Sequence, residues 1–182
     1  MWYSNYMKNK KIIAISGTHG TGKSRLAYDI TSKLRDLGFN TVVLDEIART
    51  CPFSINQSAD FRSQSWLINK QLTTELEMID RFDYIVTDRA VLDPYAYGKS
   101  LHMPGMDNYL PIVRDHINTY YRKSYLIEPV SFNYQVDDGV RDMDPEFRMR
   151  VHENLLTGYR MCGINYQLVF NVMEIYRDLF TL

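Results

Sequence analysis

The chain has 182 residues, 45% of them hydrophobic and 24% charged, enough for one full core and unlike a disordered or low-complexity protein. Its formal net charge of −1 gives no global attraction to DNA or to a membrane surface, and no apolar run reaches the length of a membrane span. Cys51 and Cys162 are distant and lack metal-ligand spacing, so they read as packing residues in a reducing compartment, and the cytoplasm is the expected location.

Residues 1–10 are polar and aromatic and read as a flexible tail, followed by a single domain over 11–182. Lys11–Ser16 is a short apolar run expected to be a buried strand. The next eight residues are Gly17, Thr18, His19, Gly20, Thr21, Gly22, Lys23 and Ser24, a GxxxxGK[ST] phosphate loop. Glycines let successive N–H groups turn inward on a polyphosphate, and the following helix adds its N-terminal dipole. Lys23 reaches β- and γ-phosphates, and the Ser24 hydroxyl suits Mg²⁺. His19 reads as a loop backbone position and not as an acid or base.

Helical spacing of Leu26, Ile30, Leu34 and Leu37 predicts a helix over Ser24–Leu37, stopped by Gly38. Thr41–Glu46 reads as a second strand ending in Asp45 and Glu46, and Cys51–Ser58 as a loop. A long helix is expected from about Ala59 to Ile79, with Phe61, Ile68, Leu72 and Ile79 on one face. Gln64, Trp66 and Gln71 on it suit either base recognition or, for Trp66, core packing. Tyr84–Thr87 is a third strand ending at Asp88 and Arg89. Pro94, Gly98, Pro104 and Gly105 punctuate the next stretch, and a helix is expected over Asn108–Arg122.

Tyr125–Ile127 reads as a fourth strand, closed by Pro129. Residues 137–144 form a charged loop, and Pro145 opens a helix with Phe147, Val151, Leu155 and Tyr159 on one face. Gln167–Phe170 and a closing helix complete the order. The alternation predicts an α/β fold of P-loop NTPase type: a five-stranded parallel sheet, helices on both faces, and a lid segment.

Ligands bind beyond the carboxyl ends of such strands, which gathers the candidate site residues. Asp88 is expected to hold the Mg²⁺ shell, or else to cap a helix. Glu46, preferred over Asp45, is expected to accept or orient the acceptor hydroxyl, or else to pair with Arg49. Arg49, Arg89 and Asp93 are substrate-binding candidates, each arginine having a structural ion pair as its alternative. Arg141 is the first choice for a lid arginine over ATP, ahead of Arg148 and Arg150, which project to different sides of one helix.

The motifs Gly-Thr-His-Gly-Thr-Gly-Lys-Ser (17–24), Glu-Ile-Ala-Arg (46–49), Thr-Asp-Arg-Ala-Val-Leu-Asp-Pro-Tyr-Ala-Tyr (87–97) and Asp-Gly-Val-Arg (138–141) resemble small P-loop kinases related to the ribosylnicotinamide kinase domain. That group is similar to nucleoside and nucleotide kinases and includes virus-encoded kinases of hydroxymethylated pyrimidines, some within DNA. The resemblance implies ATP and Mg²⁺ bound by Lys23 and Ser24, with Glu46 and Asp88 serving acceptor and metal and Arg141 in a lid. The adenylyltransferase domain fused to the ribosylnicotinamide kinase in some bacterial proteins has no counterpart in this sequence, so the resemblance does not imply a role in that pathway.

The expected activity is transfer of the γ-phosphate of ATP to a hydroxyl of a nucleoside, nucleotide or hydroxymethylated pyrimidine. Free nucleosides and nucleotides are favoured over DNA, for which Arg114, Arg122 and Lys123 offer only a local basic strip. A membrane partner is not expected, and a homodimer is left open. The competing class is a nucleotide-dependent switch. A guanine-reading Asn-Lys-x-Asp segment is missing, since Asn69-Lys70 continues as Gln71-Leu72.

Overall fold

The computed structural model describes residues 10–129 and 144–180. The elements run β1 Ile12–Ser16, α1 Lys23–Asp36, β2 Thr41–Leu44, α2 Phe61–Met78, β3 Tyr84–Asp88 and α3 Asp93–Ser100. They continue with α4 Leu110–Tyr120, β4 Tyr121–Ile127, α5 Pro145–Met161, β5 Gln167–Val169 and α6 Val172–Phe180. The strands form one parallel sheet in the order β2-β3-β1-β4-β5.

Alternation along each strand divides the core between the two faces of the sheet. Ile12, Ala14 and Ile85 meet Ile68 and Leu72 of α2, Tyr95 of α3, Val113 of α4, and Phe147, Val151, Leu155 and Tyr159 of α5. Ile13, Ile15, Val86 and Tyr125 face the other way, against Leu26, Ile30 and Leu34 of α1 and Ile175 of α6. β1 is central, with β2 and β3 on one side and β4 and β5 on the other. Its carboxyl end is therefore the switch point at which an α/β sheet opens a crevice, and the phosphate loop stands there.

Helix starts follow local chemistry. Asp60 caps α2 by accepting from Ser63 N at 2.8 Å, while Ser63 Oγ accepts from Asp60 N at 3.1 Å, a reciprocal capping box. Asp144 caps α5 by accepting from Glu146 N at 2.9 Å, and Pro145 fills the first turn, where a missing N–H costs nothing.

Four expectations are corrected. Leu37 does not extend the buried stripe of α1; it is 63% exposed at the C-cap, where Gly38 (φ 90°) leads the chain away. Phe61 is 44% exposed because it is the first residue of α2, beyond the core and beside the Tyr109 ring at 6.2 Å. The stretch punctuated by Pro94, Gly98, Pro104 and Gly105, for which no helix is expected before Asn108, contains α3, with Pro94 in its first turn. Helix α4 ends at Tyr120 and β4 begins at once, so Arg122 belongs to the strand, at an irregularity in its pairing with β1.

Gly98 within α3 has a packing role, since a Cβ there would lie 2.8 Å from Sδ and 2.9 Å from Cγ of Met106, which is fully buried. Gly98→Val is expected to destabilise the protein by about 1–3 kcal/mol through overpacking. A thermal melt with unchanged midpoint would contradict this packing account.

Candidate active site

Gly17, Gly20 and Gly22 adopt φ of 140°, 72° and 77°, a region side chains resist, and this turns the loop between β1 and α1. Lys23 is 6% exposed, and its Nζ donates to Thr18 O at 2.5 Å and to Thr21 Oγ1 at 3.3 Å, so the ammonium lies across the loop. Burial and the neighbouring Arg89 charge lower its pKa from 10.5 to about 8, against the upward pull of Asp88, Glu46 and Asp93.

Ser24 Oγ donates to Asp88 Oδ2 at 2.5 Å, joining the first turn of α1 to the end of β3. Asp88 caps no helix; it and Ser24 present two hard oxygen donors side by side at the mouth of the loop. That donor set fits Mg²⁺, which prefers a few protein oxygens and keeps the rest of its shell for water and phosphate.

Beyond β2, Glu46 turns into the cleft and Asp45 turns away to accept from Tyr28 OH at 2.6 Å. Glu46 accepts from Arg89 Nε at 2.5 Å and lies 3.5 Å from Arg49 Nε. Burial raises its carboxyl pKa, but Arg89, Lys23 and Arg49 outweigh that and hold it at about 2. Glu46 is thus an anion at every working pH.

Arg89 sits at φ 92°, unusual for a residue with a Cβ. Its Nη1 donates to Gly17 O and Tyr97 OH at 3.3 Å each and lies 3.5 Å from Asp93 Oδ1. Asp93 is fully buried and accepts from Ser16 Oγ (2.7 Å), Gly17 N (3.2 Å) and Ala90 N (3.0 Å). Burial pushes its carboxyl upward, opposed by Arg89 and the Ser16 hydroxyl.

Lys23, Ser24, Glu46, Asp88, Arg89, Asp93 and Tyr97 line one cleft of about 670 Å³, whereas Gly17, Thr18 and Asp45 do not. One end, by Arg25, Asp29, Val172 and Tyr176, adjoins α1 and α6; the other, by Ile47, Arg49, Gln64, Leu67, Gln71 and Pro94, adjoins α2 and α3. Lys23, Ser24, Glu46 and Asp88 stand between them. Arg49 is half-exposed at the rim.

His19 shares the cleft, its Nδ1 3.3 Å from Tyr97 OH. Trp66 packs against the core and does not line it. Arg141 lies outside the described residues. Arg148 is 7% exposed, with Nε donating to Thr18 Oγ1 (3.3 Å) and Nη2 to Pro129 O (2.9 Å), whereas Arg150 faces outward, 4.0 Å from Glu146. Sequence reasoning gave Tyr97 no role; its spacing from Asp93, one helical turn, was the available signal. Of the basic strip, Arg114 pairs with Asp115 at 2.9 Å, Lys123 with Asp178 at 2.8 Å, and Arg122 lies over the Tyr84 ring.

A family model described as an AAA domain matches residues 12–173, and the chain belongs to that family. Its fold is that of the small P-loop kinases. A thymidylate kinase from Ehrlichia chaffeensis superposes with a TM-score of 0.68 at 16% identity, covering 94% of this chain and 99% of that one. NadR in complex with NR gives 0.65 at 19% identity over 88% of this chain, which spans 43% of NadR. A deoxyadenosine kinase from M. mycoides gives 0.60 at 16% identity, covering 93% and 98%. No curated protein matches the sequence significantly. Among the described residues no helix is long and apolar enough to cross a membrane.

Lys23 with a free-protein pKa of about 8 predicts a pH dependence of ATP affinity. Bound polyphosphate stabilises the protonated ammonium and raises that pKa. Affinity should therefore be constant below pH 8 and fall by up to about tenfold per pH unit above it. Calorimetric titration with ATP from pH 7 to 9.5 measures this, and Lys23→Arg should flatten the profile.

Proposed function

We propose that this protein is a kinase that transfers the γ-phosphate of ATP to a hydroxyl of a nucleoside-type acceptor: a nucleoside, a nucleotide or a hydroxymethylated pyrimidine. The observation that carries this reading is the position of Glu46, an anion fixed in the same cleft as Lys23, Ser24 and Asp88. A switch needs a phosphate loop and a metal site. A carboxylate held between the phosphate loop and the α2–α3 end of the cleft is what an acceptor hydroxyl requires.

In this reading the loop backbone and Lys23 hold the polyphosphate, and the base lies towards Val172 and Tyr176. Ser24 and Asp88 would hold Mg²⁺, which supplies charge neutralisation on the phosphates when bound. Glu46 accepts a hydrogen bond from the acceptor hydroxyl and aims its oxygen at the γ-phosphorus. With a pKa near 2 it orients more than it deprotonates, and the proton need leave only as the phosphoryl group arrives. Arg148, anchored to Thr18 in the loop, and Arg141 on the proposed lid supply positive charge to the transferred group. Arg49 at the rim and the Arg89–Asp93 pair shape the acceptor side, and residues 11–182 act as one domain.

The test is γ-labelled ATP with Mg²⁺ against nucleosides, nucleoside monophosphates, nicotinamide riboside, and DNA with or without 5-hydroxymethyluracil. Label should pass to one acceptor class, vanish with Lys23→Ala, and drop by about 100-fold or more in kcat with Glu46→Gln. ATP binding without transfer to any member of the panel would instead identify a regulatory nucleotide-binding module.

A further inference from the structure

Beneath the acceptor lobe lies a buried polar cluster that phosphoryl transfer does not use. Glu75 on α2 is fully buried, and its two oxygens hold three groups. Oε1 accepts from Gln71 Nε2 at 2.8 Å and from Tyr121 OH at 2.9 Å; Oε2 lies 2.6 Å from His116 Nε2. Tyr121 OH in turn accepts from Val91 N at 3.0 Å, tying the cluster to the segment that carries Arg89.

Gln71 is the member of this cluster that reaches the cleft. Both of its bonds run from Nε2, to Glu75 Oε1 and, at 3.2 Å, to Arg89 O. A glutamine amide normally turns over to suit its ligand. This one is held, because an amide oxygen placed where Nε2 stands would face a carboxylate and a carbonyl, both acceptors only. The orientation is set by chemistry, and it leaves Oε1 out of both bonds on a residue that lines the cleft.

Gln64, seven residues earlier and so about 10 Å along the same helix, also lines the cleft. It is 2% exposed, and its Oε1 has no partner among the described residues. Leu67 stands between the two amides and Ile47 lines the same lobe. The lobe thus combines apolar walls with one fixed and one adaptable amide, a surface suited to the edge of a flat heterocycle.

We propose that Gln71 Oε1 is a fixed hydrogen-bond acceptor, locked by the positioning residue Glu75, and that the phosphate acceptor is a nucleoside-type molecule whose base edge offers an N–H donor to it. This rests on the kinase reading for the reaction, though the recognition it describes is a matter of binding. A base lacking the donor leaves Gln71 Oε1 desolvated without a partner, the situation in which discrimination by a buried polar group is largest.

The test measures calorimetric binding of nucleoside pairs that differ at one nitrogen: thymidine and 3-methylthymidine, adenosine and N6,N6-dimethyladenosine, cytidine and N4,N4-dimethylcytidine. The full chain with ADP present is used, and phosphoryl transfer is followed in parallel. For the best-bound pair the parent should be preferred by at least about 100-fold. Gln71→Met, similar in size but without the acceptor, should cut that ratio below about tenfold, and Glu75→Gln, which lets the Gln71 amide turn, should do likewise. A merely bulky methyl group would be rejected equally by all three proteins. Both variants should raise KM for the acceptor while KM for ATP stays within about twofold.

Should Glu75→Gln not fold, Glu75→Asp, which withdraws the carboxylate by one methylene, takes its place. Failure of every N–H-bearing nucleoside to bind, transfer to an acceptor without an N–H, or an unchanged ratio in both variants overturns the inference. Discriminating binding without any transfer would leave it standing and remove the kinase reading instead.

Discussion

A guanidinium does not shed its proton at any working pH, so a chain that buries one must bring acceptors to it. Arg89 is 14% exposed, and its acceptors come from three separate places in the sequence: Glu46 after β2, Gly17 at the start of the phosphate loop, and Asp93 with Tyr97 on α3. Because all contact one planar group, their relative positions are fixed by its geometry. Asp93 then repeats the operation in reverse, collecting Ser16 Oγ, Gly17 N and Ala90 N. The φ of 92° at Arg89 costs about 1–3 kcal/mol, sustained by the bond from Arg89 N to Ile15 O and by Gln71 on its carbonyl. Withdrawing one side of such a buried pair costs about 3–5 kcal/mol, which makes the cluster rigid as well as charged.

What the sequence makes legible is what depends on neighbours along the chain. The phosphate loop is a backbone device written in glycine spacing, and β1 and β3 are apolar runs because parallel strands are covered on both faces. Helix α3 escapes such reading because Pro94 and Gly98 look like breakers. Proline in a first turn breaks nothing, and Gly98 answers a side chain eight residues away, Met106. Strand β4 is partly hidden for a related reason. β5 pairs only with Tyr125–Ile127, so, among the described residues, 121–124 have no strand neighbour on that side, which admits Arg122 and Lys123. The pairs that build the site, Glu46 with Arg89 and Arg148 with Thr18, span 43 and 130 residues and leave no local trace.

The titrating groups of the cleft shift in opposite directions for one shared reason. Lys23 is lowered, Glu46 is lowered and Asp93 is raised, each the balance of lost water against charged neighbours. Lys23 and Arg89 set against Glu46, Asp88 and Asp93 leave no surplus of positive charge for a polyphosphate. A hard cation held by Ser24 and Asp88 would, with Arg148 of α5, supply what the cluster itself lacks. The cleft is thus better matched to metal-bound polyphosphate than to the free anion.

Helix α2 shows how one element serves both the core and the site. It runs antiparallel to the strands, so its N-terminal half stands over their carboxyl ends and its C-terminal half over the sheet. On a single face Gln64 and Gln71 meet the cleft, while Ile68, Leu72 and Ile79 meet the core. Glu75 falls on that face at the boundary, where an apolar residue would leave the Gln71 amide free to turn and would take from Tyr121 OH and His116 Nε2 the carboxylate they share. A fully buried carboxylate is a costly way to fill such a position. The cost is understandable if the orientation of that amide is what the residue secures, since no hydrocarbon side chain can hold a hydrogen-bond donor in place.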